Sequence, residues 1–434
     1  MTEASPSGSL AGVRVLEAGQ LLAGPFAATL LADQGADVIK IEAPGTGDPM
    51  REWGRTDGNS LWWPVVGRNK RAVTLNLREE EGQELFLRLV AEADIVVENF
   101  RAGTFEKWNL SYERLRAVNP GIIFVRVSGY GQTGPYSNRA GYGSIGEAMG
   151  GLRYVLGDPD RQPSRAGISI GDSLAAMHAT VGALSALQHR NVTGEGQVVD
   201  ASIYESVLAM MESLVTEWDV VGYQRERTGA VLPNVAPSNV YPSRDGQLVL
   251  IAANQDSVSS RLFALMGHPE WSEPGHQYST HVGRGQAQQE LDDLISEWTK
   301  TVDAEELLAL MDTGGVPAGR IYKAADMLED PHFRARESIV QVPDQTFGQL
   351  RMQNVVPKLS ATPGTIRWTG PDLGQHNDEV YGDLLGLPRR PGPRWPVEGS
   401  SDMSSHDAAC ATSRAADYES VGFASRIGPG SVRP

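Results

Sequence analysis

Val13-Arg14-Val15-Leu16, then Phe26 to Gln34, then Ala36-Asp37-Val38-Ile39-Lys40-Ile41-Glu42 decide the fold of this chain. The first and third runs are short, apolar and β-branched, which predicts strands; the run between them carries small and apolar residues on one side, which predicts a helix. Strand, helix, strand in so short a span is a βαβ unit and implies a parallel sheet. Glu42 closes the second strand where a dinucleotide fold keeps its ribose-binding acid. The turn Gly19-Gln20-Leu21-Leu22-Ala23-Gly24-Pro25 nevertheless lacks the G-x-G-x-x-G spacing that cradles a pyrophosphate, so a Rossmann-like shape is expected without nicotinamide chemistry.

The pattern then repeats. Ala72–Leu77 reads as a strand, Glu79–Ala93 as an amphipathic helix opening on acidic residues, and Ile95–Glu98 and Ile122–Val127 as further strands. Long helices are expected from Asp172 to about His189 and from Tyr204 to about Tyr223. After Gly229 the composition changes. Pro233, Pro237 and Pro242 punctuate a loop before a strand at Gln247–Ala252, and helices follow at Val258–Met266, Gln288–Lys300 and Ala304–Asp312. The expected organisation is a large doubly wound α/β domain over 1–228, a smaller α+β domain over 229–323, a return to the large domain over 324–388 with strand and helix signals from Val355 to Pro388, and a Ser/Gly/Pro/Ala-rich disordered tail over 389–434.

Composition excludes several function classes. A chain of 434 residues, 40% hydrophobic and 21% charged, can bury a large core. A formal net charge of −16 argues against nucleic acid or an anionic membrane as the main partner. Cys410 is the only cysteine, so no intrachain disulfide can form and a cytoplasmic setting is expected. The eight histidines show no metal-ligand spacing; His276 and His281 come nearest, in a polar loop, and no metal is expected. Met1–Leu10 has neither the basic nor the apolar region of a secretory signal, and no run is long enough to span a membrane.

The residue most able to carry chemistry is Asp172. Ala166-Gly167-Ile168-Ser169-Ile170 reads as a short strand or turn before it, and Leu174, Met177, Val181, Leu184 and Leu187 follow at helical spacing, which makes Asp172 an expected N-cap. Taken alone, such an aspartate does no more than satisfy free amides. The alternative is that the positive helix end keeps the carboxylate ionised for work on an acyl group.

Several separated stretches bear on that choice: Leu22-Ala23-Gly24-Pro25 with Leu31 to Glu42, Asn69-Lys70-Arg71, Val97-Glu98-Asn99-Phe100-Arg101, Ser128 to Pro135, Gly171-Asp172, Thr193 to Gln197, Gly315 to Gly319, Asp330-Pro331-His332 and Leu373 to Asn377. In this order, over roughly Leu10–Leu387, they resemble the class III coenzyme A transferases of the CaiB/BaiF type. That group includes formyl-CoA transferase and carnitine CoA-transferase, with α-methylacyl-CoA racemases as relatives. The resemblance implies a CoA-transferase in which Asp172 is the nucleophile, passing CoA from an acyl-CoA, such as succinyl-CoA, to a carboxylic acid through aspartyl anhydride and aspartyl thioester intermediates. It implies no permanently bound cofactor, and an interlocked homodimer. It also implies CoA contacts from Leu22, Ala23, Leu75, Asn76, Leu77, Arg78, Asn99, Phe100, Arg101, Lys107, Arg139 and Tyr142. Arg78, Arg101 and Lys107 would meet phosphates, and Leu75 and Leu77 would lie beside adenine, against the commoner use of such residues as a buried strand core.

Departures from the pattern sharpen the expectation. Gly143 stands where many relatives carry an acid. Tyr142 replaces the histidine that moves the α-proton in racemases, and neutral tyrosine, with a pKa near ~10, is a poor base there, so the racemase alternative is disfavoured. Leu22 and Ala43 replace a glutamine and an arginine of formyl-CoA transferase, and Pro233–Tyr241 replaces its tetraglycine loop; oxalate is not the expected acceptor.

Overall fold

The computed structural model describes residues 8–56 and 58–388 of the chain. Six strands, β1 (Arg14–Glu17), β2 (Asp37–Glu42), β3 (Lys70–Thr74), β4 (Ile95–Glu98), β5 (Ile123–Ser128) and β6 (Val198–Ser202), form one sheet. Every pairing is parallel and the spatial order is β3-β2-β1-β4-β5-β6. The direction of winding therefore reverses between β1 and β4, which leaves a crevice beyond their C-terminal ends, the place where open α/β sheets take ligands.

Helices cover both faces: α1 (Ala23–Asp33), α2 (Glu80–Ala91), α3 (Tyr112–Val118), α4 (Gly143–Met149) and α5 (Ile170–Thr193). Strand alternation decides which face each one meets. Ile123, Val125 and Val127 turn toward the alanines of α1 and α5. Phe124, between them, turns the other way and meets Phe105 at 5.4 Å and Tyr112 at 6.5 Å, while Phe86 of α2 lies 6.0 Å from Phe105. Both faces are thus dry, as a parallel sheet requires.

Boundaries and faces differ from the sequence expectation in instructive ways. The third strand is Lys70–Thr74, so residues 75–78 are the loop at its end. The helix expected from Tyr204 to Tyr223 is two helices, Ile203–Leu208 and Leu214–Val221, with Glu212 between them at φ +52. In α5 the buried stripe is Ala175, Ala176, Ala179, Ala183, Ala186 and Leu187. Met177 and Val181, two of the apolar residues at helical spacing, are 53% and 62% exposed. Small residues let α1 and α5 pack closely, and the larger apolar side chains face outward.

Residues 238–320 build a separate three-stranded antiparallel sheet from Ser238–Pro242, Leu248–Ala252 and Ala318–Arg320. Helices Asp256–Leu265, Gln288–Thr299 and Ala304–Gly314 close a second core on it around Tyr241, Ile251, Phe263, Leu291 and Leu307. A hairpin, Ile339–Asp344 with Gly348–Gln353, follows and was not expected from the sequence. The chain then returns to the large sheet. The Ala72 N–H donates to His376 Nδ1 at 3.1 Å, the His376 N–H to the Ala72 carbonyl at 3.0 Å, and the Thr74 N–H to Asn377 Oδ1 at 2.9 Å, which covers the outer edge of β3. The tail expected to be disordered, 389–434, lies outside the described residues.

Candidate active site

The parallel sheet collects the candidate loops by geometry alone. Gly19–Ala23 follows β1, residues 75–78 follow β3, Asn99–Arg101 follow β4 and Gly129–Gln132 follow β5, so all of them leave the same edge. The helix carrying Asp172 starts at that edge as well. Its far end is tied to the opposite edge, where Arg190 Nη1 donates to Asp94 Oδ1 at 2.6 Å just ahead of β4. At its near end Gly171 packs against Ile203, just beyond β6.

The crevice between β1 and β4 is locked rather than open. Asn99 Oδ1 accepts the Gln20 N–H at 2.7 Å and Asn99 Nδ2 donates to the Gln20 carbonyl at 2.8 Å. Gly19 and Gly24 make room for this side chain: a Cβ on Gly19 would meet Asn99 Oδ1 at 2.8 Å. Beneath the loop, Lys40 Nζ donates to Glu17 at 2.8 Å, to Asp48 at 2.6 Å and to the Gly19 carbonyl at 2.6 Å. Burial works against charging Lys40, but Asp48 and Glu17 outweigh it and raise the ammonium above its ordinary range. Lys70 Nζ donates to Glu17 at 3.1 Å and to the Pro25 carbonyl at 2.7 Å. Asp48 Oδ1 accepts the Leu21 N–H at 3.0 Å and so holds Leu21 at φ +63, a conformation in which a leucine is strained. Glu42, which closes β2, forms a bidentate pair with Arg51 at 2.8 and 2.7 Å.

The expected CoA contacts fall into two groups. Leu22 and Ala23 open α1, whose first turn has no side-chain cap, and Arg78, Arg101, Lys107 and Tyr142 are exposed. Arg139 is also exposed and lies over the Tyr136 ring at 3.7 Å. The Asn99 amide is committed to Gln20. Asn76 Oδ1 accepts the Arg78 N–H at 3.2 Å, and Phe100 stacks edge-on with Trp108 at 4.9 Å. Leu75 and Leu77 are buried side chains, so what this loop offers to a ligand is its backbone with Asn76 and Arg78.

Asp172 is not an N-cap. Ser169 is the cap, and Asp172 stands in the first turn of the 24-residue α5, half-buried, accepting no hydrogen bond among the described residues. The default role of a helix-start aspartate is therefore unfilled. Its carboxyl is pushed up to about 6 by burial first and by the neighbouring Glu147 second, against the pull of Arg165. A group in that range is ionised at neutral pH yet more basic than an ordinary carboxylate, the balance a nucleophile needs.

Glu147 was not anticipated from the sequence. It sits on α4, is 1% exposed, accepts the Gly171 N–H at 3.3 Å and pairs with Arg153 at 2.6 Å. Glycines let α4 press this close: a Cβ on Gly146 would meet Ile203 Cγ2 at 2.4 Å, and one on Gly171 would meet the Gly143 carbonyl at 2.9 Å. Glu147 thus places a second carboxylate beside the start of α5, one helical turn after Gly143. No group of three His, Cys, Asp or Glu among the described residues is arranged to hold a metal ion, and no helix among them is long and apolar enough to cross a membrane.

The arrangement defines an α/β protein in which a carboxylate without a hydrogen bond, basic for its type, stands at a helix start by the C-terminal edge of a parallel sheet. The chain belongs to CoA-transferase family III, whose model matches residues 10–377. It is 58% identical over 389 residues to succinyl-CoA–D-citramalate CoA-transferase of Chloroflexus aurantiacus, covering 89% of this chain and 96% of that one. It is 34% identical to succinate–glutarate CoA-transferase of Agrobacterium fabrum, covering 88% and 98%. Among solved structures, a CaiB/BaiF family protein from Brucella suis matches with a TM-score of 0.76 and 34% identity, over 87% of this chain and all of that one. The protein is a CoA-transferase, and the class III resemblance stands.

Proposed function

We propose that this enzyme moves CoA from succinyl-CoA to a second carboxylic acid, with Asp172 as the carrier. The single observation that carries the reading is the Asp172 carboxylate, half-buried, basic for its type and free of hydrogen bonds among the described residues. An Asp172 oxygen attacks the thioester carbonyl and the C–S bond breaks, giving an aspartyl anhydride and CoA thiolate. The thiolate attacks the aspartyl carbonyl and releases the donor acid, leaving an aspartyl-CoA thioester. The acceptor carboxylate then expels the thiolate to form a second anhydride. Attack of the thiolate on the acceptor's acyl carbon yields the new acyl-CoA and regenerates Asp172. Atoms and charge balance without water, a net proton or an oxidant. Relatives named for succinyl-CoA support the donor.

CoA would lie along the sheet edge over Leu22, Ala23, residues 75–78 and Asn99–Arg101, with Arg78, Arg101, Lys107 and Arg139 as its cations and Tyr142 toward the thioester. Residues 229–323 would form the smaller domain, and 324–388 the return to the large one. The outward apolar side chains of α5, with the exposed Trp218, Val220 and Val221, support a homodimer that covers them. A single cysteine supports a cytoplasmic setting. The test is trapping. Hydroxylamine or borohydride added with succinyl-CoA should modify Asp172, and the Asp172→Ala protein should take up no adduct and transfer no CoA. Unchanged transfer by that variant would end the proposal.

A further inference from the structure

Every residue of β5 is buried, yet its fourth, Arg126, is an arginine. A strand covered on both faces reads as an apolar run, and a guanidinium there is costly unless it is paired. Arg126 is 7% exposed and is shared between two carboxylates. Its Nε donates to Glu98 Oε1 at 2.8 Å. Its terminal nitrogens form a fork on Glu106, Nη1 to Oε1 at 2.7 Å and Nη2 to Oε2 at 3.2 Å. The guanidinium also lies over the Phe124 ring at 4.9 Å.

The two carboxylates bracket one stretch of chain. Glu98 ends β4 and is fully buried, and its second oxygen accepts the Phe100 N–H at 2.7 Å. Glu106 belongs to the short helix Thr104–Lys107. Between them the chain folds over Phe105, a buried ring 6.0 Å from Phe100 and 5.8 Å from Trp108. A single guanidinium therefore fastens both ends of the segment that leaves β4 at the crevice. Arg101 and Lys107 stand on this segment, both exposed, and neither makes an ion pair or a side-chain hydrogen bond among the described residues.

We propose that Arg126 is a positioning residue for CoA: it holds the segment from Asn99 to Lys107 in one shape, so that Arg101 and Lys107 meet the phosphates of the nucleotide end already spaced for them. Arg126 is too deeply buried to touch the ligand itself. Two cations on a loosened segment would have to be ordered as CoA binds, and that ordering would be subtracted from affinity. A lysine at this position would keep the charge but not the planar fork on Glu106. This inference rests on the path of CoA proposed above.

The test uses the full-length protein with succinyl-CoA and with succinyl-pantetheine, which lacks the nucleotide phosphates. Arg126→Gln should raise KM for succinyl-CoA about tenfold, the size of a lost contact to a charged group. Its kcat, and its KM for succinyl-pantetheine, should stay within about twofold of wild type. Arg126→Lys should fall between the two. Glu106→Ala cuts the same fork from a side chain that is 40% exposed and leaves Arg126 on Glu98, so it decides the matter even if Arg126→Gln does not fold. It should raise KM for succinyl-CoA about as much, and the double variant should lose no more than either single one. An unchanged KM for succinyl-CoA in Glu106→Ala, an equal loss for both substrates, or additive losses in the double variant overturns the assignment. Arg101→Ala and Lys107→Ala probe the reading beneath it. If neither raises KM for succinyl-CoA, the proposed path of CoA is wrong; if they raise it and the fork variants do not, only the role of Arg126 falls.

Discussion

The Asp172 carboxylate occupies the space where a side chain at Gly143 would stand: a Cβ there would meet Asp172 Oδ2 at 2.1 Å. Gly143→Ala should therefore leave the fold intact and displace the carboxylate. A shift of about 1 Å at a reacting group costs on the order of 100-fold in rate. The expected result is a kcat lower by about that factor with a KM for acyl-CoA within about threefold of wild type. Steady-state kinetics with a thermal melt check it; full activity would mean the position of Asp172 does not matter.

In the proposed mechanism Asp172 attacks as the carboxylate, and its carboxyl is pushed up to about 6 by burial and then by Glu147. The log of kcat/KM for acyl-CoA should rise with pH through about 6 and then level. Glu147→Gln removes the repelling charge and can keep a bond to the Gly171 N–H. The rise should move to lower pH, and a move to higher pH or no move would show that Glu147 does not act on Asp172.

Asn99 spends its whole amide on the Gln20 backbone. In Asn99→Ala the loop after β1 loses both bonds, at about 1–3 kcal/mol of stability. KM for acyl-CoA should rise about tenfold with kcat largely spared, since Asp172 lies on a different element. Chemical denaturation and kinetics on the same preparation separate the two effects.

Lys40→Met leaves Glu17 and Asp48 buried with one cation fewer. Removing one partner of a buried pair costs about 3–5 kcal/mol. The acid side carries a signature. Burial alone would raise the Asp48 carboxyl, but Lys40 and the Met50 and Leu21 N–H groups hold it below its ordinary value. Its stabilisation is present above the unfolded pKa and is lost as pH falls through the folded one. The slope of stability against pH in the acid range should be shallower in Lys40→Met; an identical slope would show that the pair does not govern Asp48.

Local patterns made the first βαβ unit, the alternating strands and the helices of residues 256–314 legible, because each depends on periodicity within a dozen residues. The start of α5 was ambiguous for a chemical reason: Ser169-Ile170-Gly171-Asp172 offers two capping residues three apart, and only packing of Gly171 against α4 decides between them. Which face of α5 is buried was not legible, because apolar spacing does not say whether alanines or larger residues face the core. Asn99 and Gln20, 79 residues apart, and Glu147 and Gly171, 24 apart, meet only through the tertiary fold, and no spacing rule announces them.

The edge of β3 is sealed by His376 and Asn377, some 300 residues downstream in the chain. During synthesis the sheet's outermost strand must therefore wait, with its amides and carbonyls bare, until nearly the whole folded region has left the ribosome. Fragments ending before residue 376 would keep that strand open and stick to one another through it.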